Sequence, residues 1–309
     1  MPTLDDIAKA AELIAPYIRR TPTIEIGAGE LGIGCDAVLK LELLQHTGSF
    51  KPRGALHRAL TNDIGPAGLV AASGGNHGAA VAWVGSTLAM QAEVFVPGVS
   101  PQMKRDHIAS LGATVKVVGD LYDDAQQACD ERAAETGAFQ IHPFNHFATV
   151  AAAGTVASEF VEAHPDLDTI LVAAGGGGLS AGVAARCRND IKVVIVEPEG
   201  SRCVGAALDA GEPVDVSVES IAADSLGAKR VGTAPFAAIS KYADQAITVP
   251  DEAIKAAQHQ LWASLRLIVE PGGAAALAAL TSGAYKPSQG ERVGVIVCGA
   301  NTDPANIVS

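Results

Sequence analysis

TILVAAGGGGL, residues 169–179, joins a predicted buried strand, Thr169–Ala173, to a predicted helix, Leu179–Cys187, through four consecutive glycines. Glycines at such a junction let backbone N–H groups approach a phosphate at the positive end of the helix. A plain tight turn is the alternative, but a run of glycines loses much conformational entropy when it folds. No Lys-Ser or Lys-Thr pair follows, which argues against a nucleoside-triphosphate loop. We therefore predict that a phosphate is bound by Gly175, Gly176, Gly177 and Gly178.

The same alternation of strand and helix continues on both sides of this stretch. Further strands are predicted at Ala37–Leu44, Leu69–Ala72, Ala92–Val96, Thr114–Val118, Phe139–His142, Val193–Val196 and Val293–Val297. Helices are predicted at Leu4–Arg20, Gly48–Leu60, Ala79–Met90, Met103–Leu111, Asp123–Thr136, Thr149–Ala163, Asp251–Ile268 and, after an interruption at Pro271–Gly273, Ala274–Leu280. The segment Glu197–Val249 is rich in Gly, Pro, Asp and Ser and is expected to be irregular. This alternation is typical of an α/β fold with doubly wound parallel sheets.

The strand–helix pattern runs through one series and then restarts, which predicts two α/β domains. We assign residues 1–67 and 146–309 to a large domain and residues 68–145 to a small one. Ligands of such folds bind beyond the carboxyl ends of the strands, at a topological switch point. The cleft between the two domains is therefore the expected ligand site.

Composition narrows the class of protein. The 309 residues are 48% hydrophobic but only 4% aromatic, so aliphatic side chains build the core. The net charge of −12 lacks the basic surface that a nucleic-acid partner requires. No apolar run has the length of a membrane span and the acidic N-terminus lacks a signal peptide, so we expect a cytoplasmic protein without a membrane partner. The five cysteines form no CxxC pair, which argues against disulfides and structural zinc.

A second element, TGSFKPRGA at residues 47–55, places Lys51 at a predicted helix start. Phe50 and Pro52 flank this lysine in an otherwise apolar segment. Desolvation lowers the pKa of a lysine, and a neutral amine can attack an aldehyde. A surface lysine whose stem covers apolar atoms is the commoner role, so Lys51 alone does not identify a site.

A third element, SGGNHG at residues 73–78, follows the predicted strand Leu69–Ala72 and opens a helix. Ser73 offers a hydroxyl donor and Asn76 an amide donor to an anion such as a carboxylate. Helix capping by either residue is the plain alternative. His77 suits either a base or a structural hydrogen-bonding group, and the sequence leaves both roles open.

Together the three elements require one ligand that carries a carbonyl for Lys51, a polar oxygen for Asn76 and a phosphate for the glycine run. Pyridoxal 5′-phosphate carries all three groups. Two other patterns do not point to a ligand. GAGELG at residues 27–32 matches GxGxxG but leads through a turn into a strand, so it predicts a turn. His142 and His146 are spaced like metal ligands, but Pro143 disfavours a regular helix between them, and we predict no metal site.

The chain resembles the serine/threonine dehydratases, a family of fold-type II pyridoxal-phosphate enzymes that includes serine racemases. The resemblance covers nearly the whole chain. Besides the three elements above, it rests on RTP (20–22), HPF (142–144), EP (197–198 and 270–271) and CGAN (298–301). It implies a tryptophan synthase β-like architecture with the cofactor in the cleft between the domains, and a homodimer or a larger homo-oligomer.

The resemblance also implies a role for each site residue. Lys51 would hold the cofactor covalently and remove the Cα proton of the substrate. Phe50 would pack on the cofactor ring, and Asn76 would hydrogen-bond the ring hydroxyl. The run Gly175–Gly178 would hold the phosphate, and Cys298 would face the pyridine nitrogen. The amino-acid substrate is expected to bind at Ser73, Gly74, Asn76 and His77.

Two departures from the family pattern bear on activity. Racemising members have a serine where this chain has Gly74, so the acid/base group of the second substrate face is missing, which argues against racemisation. Members that bind a divalent cation use a glutamate and an aspartate. Glu197 matches the first position, but Cys203 occupies the second, which argues against a metal.

The expected reaction is α,β-elimination of L-threonine and/or L-serine, which releases a 2-oxo acid and ammonia. A Cys298 thiol cannot hold a proton on the pyridine nitrogen as an aspartate would, and this favours prompt elimination over transamination. The alternatives are dehydration of another β-hydroxy amino acid, such as hydroxyaspartate or phenylserine, and serine racemisation. A non-enzymatic pyridoxal-phosphate binding protein is the alternative from another functional class.

Overall fold

The structure is a computed structural model that describes residues 1–308. Over this range the strands are β1 (Thr23–Ile26), β2 (Ala37–Lys40), β3 (Leu69–Ala72), β4 (Ala92–Val96), β5 (Thr114–Val117), β6 (Phe139–Gln140), β7 (Thr169–Ala173), β8 (Lys192–Pro198), β9 (Gln245–Val249) and β10 (Val293–Ile296). The α-helices are α1 (Leu4–Ile14), α2 (Lys51–Leu60), α3 (Asn76–Thr87), α4 (Gln102–Ser110), α5 (Tyr122–Thr136), α6 (Phe147–Ala163), α7 (Gly178–Cys187), α8 (Cys203–Ala210), α9 (Ala223–Leu226), α10 (Thr233–Tyr242), α11 (Asp251–Leu265), α12 (Pro271–Thr281) and α13 (Ala305–Val308).

The strands form two sheets. A six-stranded sheet has the order β1-β2-β10-β7-β8-β9, and a four-stranded sheet has the order β5-β4-β3-β6. All paired strands run parallel except β1 and β2. Strands β7 and β10 are buried at every position, because helices cover both faces of the sheet and apolar side chains fill both. The predicted α/β fold with two sheets is confirmed, although the larger sheet carries one antiparallel strand, β1. The assignment of residues 68–145 to a separate domain stays a prediction.

Three strands lead directly into the predicted site elements. Ser73 follows β3, Gly175 comes two residues after β7, and Cys298 comes two residues after β10. Strands β3, β7 and β10 each run parallel to a neighbouring strand. The loops that follow them therefore lie at the carboxyl ends of the strands, where α/β folds bind their ligands. Among residues 1–308, no helix combines the length and the apolar composition that a membrane span needs.

The structure corrects several predicted element ends, and the two largest differences are at α1 and β2. Helix α1 ends at Ile14 rather than Arg20, because Pro16 lacks the N–H group that would continue the helix. Strand β2 ends at Lys40 rather than Leu44, because the chain turns into a short 3₁₀ helix at Glu42–Leu44. Strand β1 was not predicted.

The expectation of irregular structure over Glu197–Val249 is wrong, since this segment forms α8, α9, α10 and β9. Several of its glycine and proline residues lie at helix ends rather than breaking the helices. Gly211 ends α8 with φ at 77°, and Pro235 occupies the first turn of α10, where no backbone donor is needed. Pro271 likewise begins α12 rather than interrupting a longer helix.

Candidate active site

One cavity between the two sheets brings most of the predicted site residues together. Its lining includes the predicted cofactor residues Phe50, Lys51, Asn76, Gly175, Gly176, Gly177, Gly178 and Cys298. Residues from distant parts of the chain complete it, among them Phe144, Ser225, Leu226 and Glu270. The sequence alone therefore located one half of the cavity, and the fold supplies the other half.

The glycine run lines this cavity with free backbone donors. Gly177 is in the left-handed region with φ at 87° and precedes the first residue of α7, so the run turns directly into a helix N-terminus. Within residues 1–308, the N–H groups of Gly175, Gly176 and Gly177 have no hydrogen-bond acceptor. An anion placed here would meet unpaired N–H groups and the positive end of a helix dipole.

Neighbouring side chains leave no room for anything but glycine in this run. A Cβ atom added to Gly176 would overlap the Phe144 ring, and one added to Gly178 would lie 2.8 Å from the Phe144 Cβ. A Cβ atom on Gly175 would lie 2.9 Å from the Leu226 Cα. Side chains at these positions would occupy space beside the free N–H groups, so the glycines keep the cradle open.

The amine of Lys51 is buried with few partners. Lys51 is the first residue of α2, and its Nζ lies 3.3 Å from the Pro143 carbonyl oxygen and 5.1 Å from the centre of the Phe50 ring. Burial lowers the pKa of Lys51 to about 8, although Cys298 and Glu270 oppose this shift. An amine with this pKa is partly neutral near neutral pH and is therefore a competent nucleophile and base.

Asn76 begins α3 and is held from two sides. Its Nδ2 donates to Glu270 Oε1 at 2.5 Å, and its Oδ1 accepts a hydrogen bond from Asn301 Nδ2 at 2.6 Å. The other carboxyl oxygen of Glu270 is buried without a partner in the described chain. Burial raises the pKa of Glu270 to about 7, against the opposing effects of Lys104, Asn76 and Lys51.

Cys298 places a neutral thiol in the cavity. Its Sγ lies 3.5 Å from the Gly272 carbonyl oxygen, to which it donates. Burial raises the pKa of the thiol to about 12, and the charge of Glu270 adds to the shift. Cys298 therefore keeps its proton throughout the neutral range and brings no negative charge to the cavity.

The predicted substrate residues other than Asn76 lie beside this cavity rather than in its lining. The Ser73 hydroxyl accepts a hydrogen bond from Gly75 N at 3.2 Å, which shapes the turn before α3. A Cβ atom on Gly74 would overlap the Ser100 hydroxyl. His77 is buried and lines a smaller adjoining cavity with Lys51, where its Nε2 donates to the Ile141 carbonyl at 2.6 Å.

The protonation of His77 follows from its position. Burial, and then the charge of Lys51, lower the pKa of His77 to about 3, so the imidazole is neutral at physiological pH. Because Nε2 donates to a carbonyl, the neutral ring carries its proton there. The structure thus places His77 next to Lys51 as a neutral group, and its assignment to substrate binding stays a prediction.

The residues weighed as metal ligands serve the backbone instead. Glu197 accepts hydrogen bonds from Val204 N and Gly205 N, both at 2.8 Å, at the start of α8. Cys203 Sγ donates to the Gly175 carbonyl at 3.2 Å. His142 Nδ1 accepts from Asn145 N at 2.9 Å. Each of these contacts stabilises a turn or a helix start.

Sequence reasoning assigned no role to Glu270 or Phe144. A Glu-Pro pair before an apolar helix was a visible signal for Glu270, since a carboxylate directly before a buried helix needs a partner. Phe144 belongs to the HPF stretch that contributed to the resemblance, but that stretch indicated no role for its ring. Both residues reach the cavity through packing of segments that are far apart in the chain.

The cavity fits pyridoxal phosphate on its own chemistry. It holds unpaired N–H groups for a phosphate, a buried amine with a low pKa for an aldehyde, and an amide donor for a ring hydroxyl. The orphaned Oε2 of Glu270 is a further sign that the cavity is built around a polar ligand, because buried polar atoms are rarely left unpaired.

Comparison with known proteins agrees with this chemistry. Residues 14–299 match the family described as "Pyridoxal-phosphate dependent enzyme". The biosynthetic L-threonine dehydratase of Escherichia coli (strain K12) is 36% identical over 272 residues, which are 86% of this chain and 53% of that protein. The serine racemase of Oryza sativa subsp. indica is 33% identical over 310 residues, which are 97% of this chain and 91% of that protein.

A solved structure matches the whole fold. The threonine deaminase of T.th. superposes with a TM-score of 0.91 at 32% identity, covering 98% of this chain and 99% of that one. In length the chain therefore matches this deaminase and the racemase, whereas it spans about half of the E. coli dehydratase.

Proposed function

We propose, because the chain belongs to the family of pyridoxal-phosphate-dependent enzymes, that it converts L-threonine and/or L-serine to a 2-oxo acid and ammonia by α,β-elimination. The observation that carries the proposal is the presence in one cavity of a weakly partnered lysine amine, Lys51, and a protonated thiol, Cys298. The named activities of the E. coli relative and of the T.th. deaminase support the same reaction.

Lys51 has two tasks in this proposal. Its Nζ would hold the cofactor covalently, and the same amine would serve as the base that takes the proton from the substrate Cα. A pKa of about 8 suits both steps, since the amine is available as a base without full loss of its proton affinity. When bound, pyridoxal phosphate supplies the electron sink that makes this carbon acidic.

The other cavity residues bind and orient. The free N–H groups of Gly175–Gly177 and the start of α7 hold the phosphate, and Phe50 and Asn76 fix the ring. Cys298 would face the pyridine nitrogen of the bound cofactor as a neutral group. Because its thiol keeps its own proton, it does not hold a second proton on that nitrogen, which weakens the electron sink and favours loss of the β-hydroxyl over slower reactions.

The substrate carboxylate is proposed to bind at the turn before α3. Ser73, Gly74 and Asn76 lie at this helix N-terminus, where the helix dipole favours an anion. His77, neutral and next to Lys51, is suited to keep the amine from being surrounded by further positive charge. The choice between threonine, serine, hydroxyaspartate and phenylserine depends on the side-chain end of this site.

Serine racemisation is the second candidate, favoured by the identity to the Oryza sativa racemase. Against it stands Gly74, which offers no hydroxyl to the second face of the substrate. The space beside Gly74 is taken by the Ser100 hydroxyl, which an added Cβ atom would overlap. A cofactor-binding protein without turnover would also use Lys51 as the point of attachment, so only a product assay separates it from an enzyme.

A panel of β-hydroxy amino acids tests the proposal. The purified protein is expected to be yellow and to release a 2-oxo acid and ammonia from L-threonine or L-serine, with little D-serine formed. Release from phenylserine or hydroxyaspartate alone would reassign the substrate. D-serine formed at a rate comparable to pyruvate would refute elimination as the main reaction, and a bound cofactor without any product would refute catalysis.

A further inference from the structure

Asn76 is one member of a longer hydrogen-bonded chain. Asn301 Nδ2 donates to the Thr47 carbonyl at 2.7 Å and to Asn76 Oδ1 at 2.6 Å. Asn76 Nδ2 in turn donates to Glu270 Oε1 at 2.5 Å. The chain therefore runs from a backbone carbonyl through two amides to a buried carboxylate at the edge of the cavity.

This arrangement determines which way the Asn76 amide faces. A backbone carbonyl only accepts, so Asn301 must turn its NH₂ group toward Thr47, and the second hydrogen of that group points at Asn76. If the Asn76 amide rotated by half a turn, its NH₂ group would face the NH₂ group of Asn301. Its carbonyl oxygen would then face the carboxyl group of Glu270, a contact that is repulsive when that group is ionised.

This series of hydrogen bonds also connects four segments of the protein that form the cavity. Thr47 lies just before the Lys51 helix, with φ at 61°, a strained value for a β-branched residue. Asn301 follows β10, and the nearby backbone bond from Ala300 N to Gly48 O, at 2.8 Å, holds the two loops together. Asn76 and Glu270 belong to the starts of α3 and α12.

Glu270 is an unfavourable residue to bury here. Its side chain is buried, its Oε2 has no partner in the described chain, and burial raises its pKa to about 7. Gly299 makes room for it, because a Cβ atom there would overlap Glu270 Oε1. A buried, half-satisfied carboxylate destabilises the fold, so its presence calls for a function beyond packing.

We propose that Glu270 and Asn301 are positioning residues that hold the Asn76 amide in one orientation, so that its second N–H is presented to the ring hydroxyl of pyridoxal phosphate. The proposal rests on the proposed cofactor site. An amide NH₂ group has two hydrogens, and Glu270 takes only one of them. Without either neighbour the amide is free to turn and to present its carbonyl instead.

The experiment compares two cofactors, pyridoxal phosphate and its 3-deoxy analogue, which lacks the ring hydroxyl. Dissociation constants are measured by absorbance for wild type, Asn301→Ala, Glu270→Ala and Asn76→Ala. We expect each variant to bind pyridoxal phosphate about tenfold more weakly, the size of one lost buried hydrogen bond. For the analogue, the variants and wild type should bind alike.

Two controls separate positioning from a general structural effect. Glu270→Gln keeps an oxygen acceptor for Asn76 and should restore affinity for pyridoxal phosphate to within about twofold of wild type. Asn62→Ala removes an amide that donates to the Arg58 carbonyl at 2.7 Å, outside the cavity lining, and should leave both affinities unchanged. Combining Asn301→Ala with Asn76→Ala should give no further loss, since both act through one bond.

The outcomes are distinct. If each variant loses affinity equally for both cofactors, or if the losses of Asn301→Ala and Asn76→Ala add, the residues do not act through the ring hydroxyl and the inference is wrong. If Asn301→Ala does not fold, Asn301→Ser gives the same test, because one hydroxyl donor cannot serve both acceptors. Failure of wild type to bind pyridoxal phosphate at Lys51 would instead overturn the proposed function.

Discussion

Helix α2 carries two cations, the half-buried Lys51 and the buried Arg53, that lie two residues apart in opposite electrostatic surroundings. Arg53 donates to Glu42, Glu159 and Thr155 through Nε and both terminal nitrogens, at 2.7 to 3.0 Å. The Lys51 amine has a single carbonyl contact at 3.3 Å. One cation is saturated by the protein, and the other is left for a ligand.

The saturated cluster consists of Lys40, Glu42, Arg53 and Glu159, two positive and two negative groups that balance. Lys40 Nζ donates to the Thr21 carbonyl at 2.7 Å and to Glu159 at 2.6 Å. Burial opposes ionisation of Glu159, but hydrogen bonds and charge from Arg53 and Lys40 lower its pKa overall. Burial lowers the pKa of Lys40 although Glu42 and Glu159 oppose this shift. The ion pairs of the cluster hold α2, β2 and α6 together.

In the cavity, burial prevails over pairing. Burial shifts the pKa of each cavity group in the direction that favours its neutral form. The pKa of Lys51 falls to about 8, while those of Glu270 and Cys298 rise to about 7 and about 12. The comparison teaches that buried charge is compatible with both stability and function. A buried charge whose hydrogen bonds are all paired stabilises the structure. A buried charge with few partners can still exchange a proton or bind a ligand.

The largest expected effect is on catalysis by the unpaired cation. Lys51→Ala should abolish covalent cofactor binding and reduce 2-oxo acid release by at least about 10³-fold, since it removes both the attachment point and the base. Turnover and peptide mapping after borohydride reduction measure the two losses. A label on a different lysine of the wild-type protein would overturn the assignment of Lys51.

Breaking the saturated cluster should instead affect stability. Arg53→Met leaves Glu42 and Glu159 without their main partner and should lower the free energy of unfolding by about 3–5 kcal/mol. The matched variant Lys51→Met removes a poorly paired cation and should leave the stability of the cofactor-free protein unchanged or higher. Urea unfolding of both variants decides this, and equal destabilisation would erase the contrast between the two sites.

The pH dependence of stability should reveal the unpaired carboxyl group. The folded pKa of Glu270 is about 7 against an ordinary value of 4.5, so the folded state binds its proton more tightly. The tighter binding of this proton contributes fully to the free energy of unfolding below about pH 4.5, and the contribution is lost as the pH rises to 7. Relative to Glu270→Gln, cofactor-free wild type should lose about 3 kcal/mol across this window. Parallel stability curves for the two proteins would contradict the raised pKa.

Adding a charge to the cavity should alter the outcome of the reaction. Cys298→Asp would place a carboxylate where the thiol is neutral, and a carboxylate stabilises a proton on a facing pyridine nitrogen. We expect cofactor binding to persist, with slower elimination and a larger share of abortive transamination. The ratio of pyridoxamine phosphate to 2-oxo acid measures this, and an unchanged ratio and rate would show that Cys298 does not face the nitrogen.

The smallest expected effect concerns racemisation. Gly74→Ser alone should change the ratio of D-serine to pyruvate little, because the new side chain meets the Ser100 hydroxyl. Gly74→Ser combined with Ser100→Gly should raise that ratio several-fold, with Ser100→Gly alone as the control. Equal ratios in all three variants would mean that the second-face acid is not the element that limits racemisation.

Much of this molecule could be predicted from local patterns. Strands β3, β4 and β7 begin and end where their apolar runs do, because a buried strand needs apolar side chains on both faces. The glycine run and Lys51 were predicted from residues adjacent in the chain, and the predicted cofactor agrees with the family. The error over Glu197–Val249 arose because Gly and Pro mark helix ends as well as loops.

The amino-acid sequence by itself determined the α/β class and the cofactor, and it predicted the residues that bind this cofactor, since all three depend on residue type and on neighbours a few positions away. The tertiary structure alone decided which charges are paired. Glu270 reaches Asn76 across 194 residues, while Arg53 meets Glu159 across 106. Pairing over such separations depends on how helices and sheets pack, and packing sets the burial that moves each pKa. For that reason two cations in one helix turn have opposite surroundings, with Arg53 fully paired and Lys51 left with a single carbonyl contact.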